Sequence, residues 1–396
     1  MKILPHYSAF ICLLLFAGIL PGASQADTTS ALEPQLISAL HKLDQQQLDG
    51  ALSDVKNVLQ INPKFRLAQF VYADLLMAKA GMPVQLGSNM AGKEKAQVKD
   101  LLSEARVRWQ RYQERARNEE LPAVLLQLSP QQQTVVVTDL QRSRLYLYEN
   151  VAGSPRLLSD FYVSSGKNGE GKQVEGDKKT PMGVYFVTDS LDTSKLPDLY
   201  GTGAFPIDYP NAWDKRQGRT GHGIWLHGVP SNTYSRAPRS SDGCLAMSNS
   251  ELDAIKPFLQ SGITPVLIGK QLDWLPRTSI DQRRQELTSA IEQWRRDWQS
   301  LNTNAYLEHY SKQFRSDNKD YKTWVAHKNR VNNAKTFIKV ELSELSILGY
   351  PEKDNMVVVS YQQTYASDNF NGTSRKRQYW QKETGGRWRI VYEGKG

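Results

Sequence analysis

The sequence predicts a multidomain α+β protein: an N-terminal helical domain, a β-rich central domain, and a C-terminal domain in which helices precede an antiparallel sheet. Three observations carry this. The chain is 396 residues long, room for two or three domains at roughly 150 residues each. Its apolar periodicity changes twice, from helical spacing to β-branched and aromatic runs after Leu121, and back to helical spacing after Asp281. Hydrophobic residues make up 39% and charged residues 23% of the chain, a balance that folds around a core instead of staying disordered.

Residues 1–26 carry one charge, Lys2, then an apolar run from Ala9 to Leu20, Pro21 and the small-residue stretch Ala23-Ser24-Gln25-Ala26. That is the layout of a secretory signal peptide cleaved after Ala26. As an uncleaved anchor, the apolar run falls short of the roughly 20 residues that span a bilayer comfortably. The mature chain is therefore expected to cross the inner membrane and not to span it afterwards. Cleavage removes Cys12 and leaves Cys244 alone, so no internal disulfide is available and the thiol is either buried or used.

Residues 27–120 read as helical. Leu36, Ala39, Leu40 and Leu43, then Leu52, Val55, Val58 and Leu59, recur at helical spacing, and Pro63 closes the second run. The stretch from Ala51 to Ala80 resembles part of a tetratricopeptide repeat, although a plain helical hairpin has the same pattern. After a break at Gly87-Ser88-Asn89, a charged helix runs from Ala91 to Asn118. The domain is expected to be a spacer or a docking surface for envelope proteins.

Within 121–270, Thr134–Thr138 and Leu145–Tyr148 flank the polar segment Asp139–Arg144 as a hairpin. Further strands are expected at Phe161–Ser164, Val184–Thr188, Ile224–His227 and Thr264–Ile268, and a helix at Ser250–Leu259. The insert Leu191 to Arg219, rich in Pro, Gly, Tyr and Asp, has the length of a lid. Gly269–Asp281 reads as a linker, so removing residues 281–396 is expected to leave a folded central domain. Residues 281–396 start as helices, with Leu287, Ile291 and Trp294 and then Tyr306, Tyr310 and Phe314. After Phe337 they continue as strands, among them Met356–Tyr365, Arg375–Glu383 and Trp388–Glu393. This segment supplies +6 of the whole chain's +9, from 20 Lys/Arg against 14 Asp/Glu. A solvated basic face explains the excess as well as an anionic polymer does, and no nucleic-acid motif accompanies it, so no nucleic-acid partner is expected.

The chemistry concentrates in two stretches, Gly223-Ile224-Trp225-Leu226-His227-Gly228 and Ser240-Ser241-Asp242-Gly243-Cys244-Leu245-Ala246-Met247-Ser248-Asn249. A cysteine nucleophile needs a base for its proton and a backbone turn that leaves the sulfur accessible. A strand ending in His227, with Gly228 letting the chain turn, presents an imidazole. Gly243 lets the backbone approach a substrate carbonyl, where main-chain N–H groups stabilise an oxyanion. One His and one Cys taken alone are more often structural. His222 is a further candidate, with a surface histidine as its ordinary reading. A zinc site from His222, His227 and Cys244 would need Asp242 as fourth ligand, and no metal is expected. With no Gly-rich phosphate loop, no cofactor is expected either.

In combination these stretches resemble the YkuD family of L,D-transpeptidase catalytic domains, whose signature pairs His-Gly or His-Ser with a later Ser/Thr-X-Gly-Cys. Here those elements are His227-Gly228 and Ser241-Asp242-Gly243-Cys244, preceded by Lys179-Thr180-Pro181-Met182-Gly183-Val184-Tyr185, which matches the family's upstream segment. The resemblance covers roughly residues 130–269. It implies that Cys244 is the nucleophile, His227 its base, and the Gly228 carbonyl the group that orients the imidazole, with Ser241, Asp242 and Gly243 in the oxyanion loop. Two positions depart from the family, Asp242 for a common His and Ala246 for a common Arg. The anionic Asp242 disfavours a thiolate, so a protonated His227 is expected to outweigh it, and Arg236 or Arg239 is expected to bind the substrate carboxylate in place of the missing Arg.

The Asp-Gly-Cys variant and the C-terminal domain look like the subgroup that carries a nuclear transport factor 2-like cone behind the catalytic domain. That subgroup includes L,D-carboxypeptidases that trim peptidoglycan stem peptides and shape curved cells. Such a cone holds an open pocket, and Trp294, Tyr310, Trp324, Tyr361, Trp380 and Trp388 either line it or form core. The implied activity is a periplasmic cysteine acyl transferase that forms a thioester at Cys244 on tetrapeptide stems and releases D-alanine. Cross-linking to a second stem is placed slightly ahead of trimming by water, because a lid over the site would exclude water. A non-catalytic envelope scaffold is the alternative from another class.

Overall fold

The computed structural model describes residues 32–82, 92–114, 119–316 and 318–396. The expected signal peptide and the break at Gly87-Ser88-Asn89 lie outside the described residues. Among the described residues, no helix is long and apolar enough to cross a membrane.

Four helices, Leu32–Asp44, Leu48–Ile61, Arg66–Lys79 and Gly92–Gln113, make up the N-terminal part. Their apolar stripes, Leu36, Ala39, Ala51, Val55, Val58, Leu67 and Leu75 among them, meet in one buried cluster. The second helix stops where expected: Asn62 is extended because a following proline disfavours the helical conformation. These helices are not a detached spacer. Tyr234 of the central domain is part of their core, and its ring lies 4.4 Å from that of Phe65.

The central domain is built on a five-stranded sheet in the order Ser154–Tyr162, Arg144–Val151, Thr134–Asp139, Pro265–Gly269, Gly183–Phe186. Its inner strands are continuous apolar runs because both faces are covered. Val135, Val137, Tyr146, Tyr148 and Leu267 face one core, and Val136, Leu145, Leu147, Val266 and Ile268 face the other. On that second side a small sheet packs, in the order Leu245–Ala246, Trp225–His227, Ala204–Pro206.

The C-terminal domain is a six-stranded sheet in the order Tyr310–Ser316, Trp388–Lys395, Asn371–Lys382, Lys353–Ser367, Ile338–Tyr350, Leu125–Gln127, with helix Arg277–Gln299 on it. Two expectations change here. Tyr310 and Phe314 lie on a strand, since a spacing of four satisfies one sheet face as well as one helix face. The segment Gly269–Asp281 is not a loose linker. Trp274–Pro276 pairs with Glu120–Pro122, the next helix starts at Arg277, and one buried core joins Val135, Tyr146, Phe186 and Trp213 to Trp294, Tyr350 and Tyr379. Trp213 stacks on Tyr379 at 4.9 Å. The six aromatics Trp294, Tyr310, Trp324, Tyr361, Trp380 and Trp388 are core, none more than 8% exposed.

Candidate active site

Strand pleating accounts for the first feature of the site. Leu245–Ala246 runs parallel to Trp225–His227 with Leu245 opposite Leu226 and Ala246 opposite His227. Leu226 and Leu245 both point into the core, so the alternate residues Trp225, His227 and Ala246 share the other face. Cys244 immediately precedes the strand Leu245–Ala246, with its thiol at the Trp225 backbone, and the small Ala246 sits directly across from the imidazole. His227 is buried, and its Nδ1 lies 2.6 Å from the carbonyl oxygen of Gly228. As a proton donor to that carbonyl, Nδ1 leaves Nε2 with a free lone pair. From the neighbouring segment the Tyr200 ring packs edge-on to the imidazole at 5.2 Å and against Trp225 at 4.8 Å. Tyr200 has no signal in the sequence beyond its place in the insert.

Gly228 is needed for space. A Cβ there would collide with Asn249 Oδ1, which accepts from the backbone N–H of Val229 (3.0 Å) and Thr202 (3.2 Å) while Asn249 Nδ2 donates to Val229 O (2.9 Å). Asn249 thus ties the turn after His227 to the segment that carries Tyr200, a role the sequence did not disclose. Residues 204–219 of the insert expected to be a lid are built into the fold, while Tyr200 before them lies over His227. Ala204–Pro206 pairs with the His227 strand, and Asp214 and Arg219 form a buried ion pair (3.0 Å) that extends to Glu352 of the C-terminal domain (2.7 Å).

The cysteine loop is held from below. Thr180 Oγ1 accepts from Gly166 N–H (2.8 Å) and donates to Gly243 O (3.0 Å), which gives the Lys179-Thr180-Pro181 segment its purpose. Gly243 has φ +128°, and a Cβ would lie 2.8 Å from Lys179 O. Ser241 Oγ donates to Cys244 O (2.6 Å) and accepts from Gly243 N–H (3.1 Å). The Gly243 N–H, expected to face an oxyanion, is therefore already engaged. The Cys244 thiol donates to Gly223 O at 3.4 Å.

Electrostatics also differ from expectation. Burial lowers His227 to about 4, with the Gly228 carbonyl opposing this and the Arg236 charge adding to it. Burial pushes the Cys244 thiol up, offset by the Trp225 backbone hydrogen bond and by Arg236 and Lys172, with Asp242 adding to the rise. The resting pair is thus neutral thiol and neutral imidazole, so a protonated His227 does not compensate Asp242. Lys167 does, at 2.6 Å, and holds the Asp242 carboxyl below its ordinary range. Of the three outlying candidates, only Arg236 exerts its charge on Cys244. Arg239 is exposed and turns to Glu170 (3.4 Å), and His222 is exposed and turns to Glu175 (3.7 Å).

Residues 133–268 match the L,D-transpeptidase catalytic domain family YkuD, and residues 286–394 match a C-terminal NTF2-like domain family, Cds6_C. A protein of Escherichia coli K12, YafK, provisionally named an L,D-transpeptidase, is 31% identical over 121 residues, 30% of this chain. The chain spans 44% of that relative's length. Among solved structures, Bd1075 of Bdellovibrio bacteriovorus is 30% identical with a TM-score of 0.61 over 69% of this chain and 97% of its own. The helical cell shape determining protein Pgp2 of Campylobacter jejuni is 25% identical with a TM-score of 0.58 over 74% of this chain and 98% of its own.

Proposed function

Because the chain belongs to the YkuD family of L,D-transpeptidases and carries an NTF2-like domain behind its catalytic domain, we propose that it is a periplasmic cysteine enzyme acting on peptidoglycan tetrapeptide stems. The observation that carries the reading is the pairing of the strand that directly follows Cys244 with the strand that ends in His227, whose Nδ1 is engaged by Gly228. In the first step Nε2 of His227 takes the thiol proton as the sulfur attacks the carbonyl that joins diaminopimelate to the terminal D-alanine. The tetrahedral adduct collapses, the C–N bond breaks, and Nε2 returns the proton to the departing D-alanine amine. A thioester on Cys244 remains. Water, deprotonated by the same imidazole, then releases the tripeptide and restores the thiol.

Water is the acceptor in this reading because residues 204–219 of the insert expected to be a lid are built into the sheet and the interdomain interface. Trimming fits a protein similar over most of its length to one named for cell shape. Cross-linking is the second reading, favoured by the match of residues 133–268 to an L,D-transpeptidase domain. The test incubates the protein with tetrapeptide muropeptides and separates products by mass. Tripeptide and free D-alanine are expected. Dimers joined through two diaminopimelates would establish cross-linking instead, and no turnover together with no carbapenem adduct on Cys244 would overturn both and leave a scaffold.

A further inference from the structure

The loop 228–238 joins the His227 strand to the Cys244 motif, and its residues are gripped by the N-terminal helices. Lys64 Nζ donates to Ser231 O (2.8 Å), and Tyr234 is buried in the helical core against Phe65. Ser235 Oγ donates to Glu104 Oε1 (2.7 Å), and that carboxylate is fixed by Arg108 at 2.8 Å. Arg108 is itself buried, paired with Glu33 at 2.8 Å and lying 3.9 Å above the Tyr162 ring, whose hydroxyl donates to the Arg236 carbonyl at 2.7 Å. The next side chain in the loop is therefore aimed. Arg236 Nη2 reaches Leu199 O (3.3 Å), beside the Tyr200 ring that covers His227. Asp198 closes the loop from the other side by accepting from Ser231 N–H at 3.1 Å.

We propose that the N-terminal helices are a positioning element of the active site, in which Glu104 and the Phe65 pocket hold Ser235 and Tyr234 so that Arg236 keeps its charge beside the Cys244 thiol. This rests on the proposed role of Cys244. The groups that act on that sulfur are Arg236 and Asp242 from the loops, Lys172 from the segment below, the Trp225 backbone and the Gly223 carbonyl that accepts its proton. Of these, Arg236 is the one that adjoins residues held by the helices, Tyr234 and Ser235. Releasing it weakens the thiolate while leaving the other four in place.

The experiment measures alkylation of Cys244 by iodoacetamide against pH in the full chain and in Arg236→Gln, Tyr234→Ala, Ser235→Ala, Tyr234→Phe and the double variant Tyr234→Ala/Arg236→Gln. Arg236→Gln is expected to slow alkylation about threefold or more near pH 8, as a rise of half a unit in a thiol does below its midpoint. Tyr234→Ala and Ser235→Ala should shift the profile in the same direction, Tyr234→Phe should keep the parent profile, and the double variant should match Arg236→Gln. Ser235→Ala, which removes one hydroxyl, serves if Tyr234→Ala does not fold. An unchanged profile in both loop variants, or an effect that adds to that of Arg236→Gln, overturns the proposal. A parent protein that no muropeptide acylates overturns the reading of Cys244 instead, and the two failures are distinct.

Discussion

Taking the protein from about pH 7.5 to about pH 5.5 should leave the rate of Cys244 acylation nearly unchanged. Burial holds the His227 imidazole at about 4, so at pH 5.5 roughly 97% of it is still the free base. An ordinary imidazole near 6.5 would be only about 9% free base there, and the rate would fall roughly tenfold. Burial also raises the thiol, which puts the upper limb above the ordinary cysteine range. Between the limbs the thiol keeps its proton and the imidazole stays the free base, and the rate is flat. The same shift acts on stability. Because the folded state resists protonation of His227, this contribution is complete above the ordinary imidazole value and is lost as pH falls through about 4, by about 3 kcal/mol in total. Acylation by a carbapenem, followed by intact mass across this range, reads the limbs directly, with far-ultraviolet circular dichroism as the check on folding. A tenfold loss by pH 5.5 in folded protein would mean that His227 titrates as an exposed histidine. A rate climbing tenfold per pH unit above pH 6 would mean that the thiolate forms without it.

Cys244→Ala should abolish acylation and D-alanine release without changing the unfolding midpoint, since the thiol is the nucleophile the motif supplies; turnover retained by that variant in product analysis would refute the mechanism. Arg108→Leu strands Glu104 in a buried site and leaves Glu33 to Arg144 alone, and urea unfolding should show a loss of about 3–5 kcal/mol; a loss below 1 kcal/mol would mean that water reaches Glu104. Truncation before residue 281 uncovers Val135, Val137, Tyr146, Phe186 and Trp213, so the product should aggregate or exchange its sheet amides rapidly; a soluble, well-protected fragment would show that the shared core is dispensable.

The paired stretches around His227 and Cys244 were legible because their requirements are local. Period-two alternation puts Leu226 and Leu245 on the core face and His227 and Ala246 on the other whatever lies beyond the sheet. Gly228 and Gly243 are demanded by contacts with near neighbours in the fold that the motif itself supplies, Asn249 and Lys179. The helical spacing of residues 32–79 likewise needs only its own stripe. Tyr310 and Phe314 were not legible, since a spacing of four fits one face of either element.

Spacing within a dozen residues is enough for the three-part α+β order and for most strands of the central sheet, and the motif marks His227 and Cys244 as the candidate pair, although the strand expected at Phe161–Ser164 runs instead over Ser154–Tyr162. Tertiary structure alone decided the rest. An apolar strand run shows that both faces are covered and not by what, so the core shared with the C-terminal domain is invisible until Trp213 meets Tyr379. Charge placement is equally remote: Arg144 finds Glu33 across 111 positions and Ser235 finds Glu104 across 131. The low value of His227 comes from burial, and burial is a property of everything packed around a side chain, which no stretch of neighbouring residues encodes.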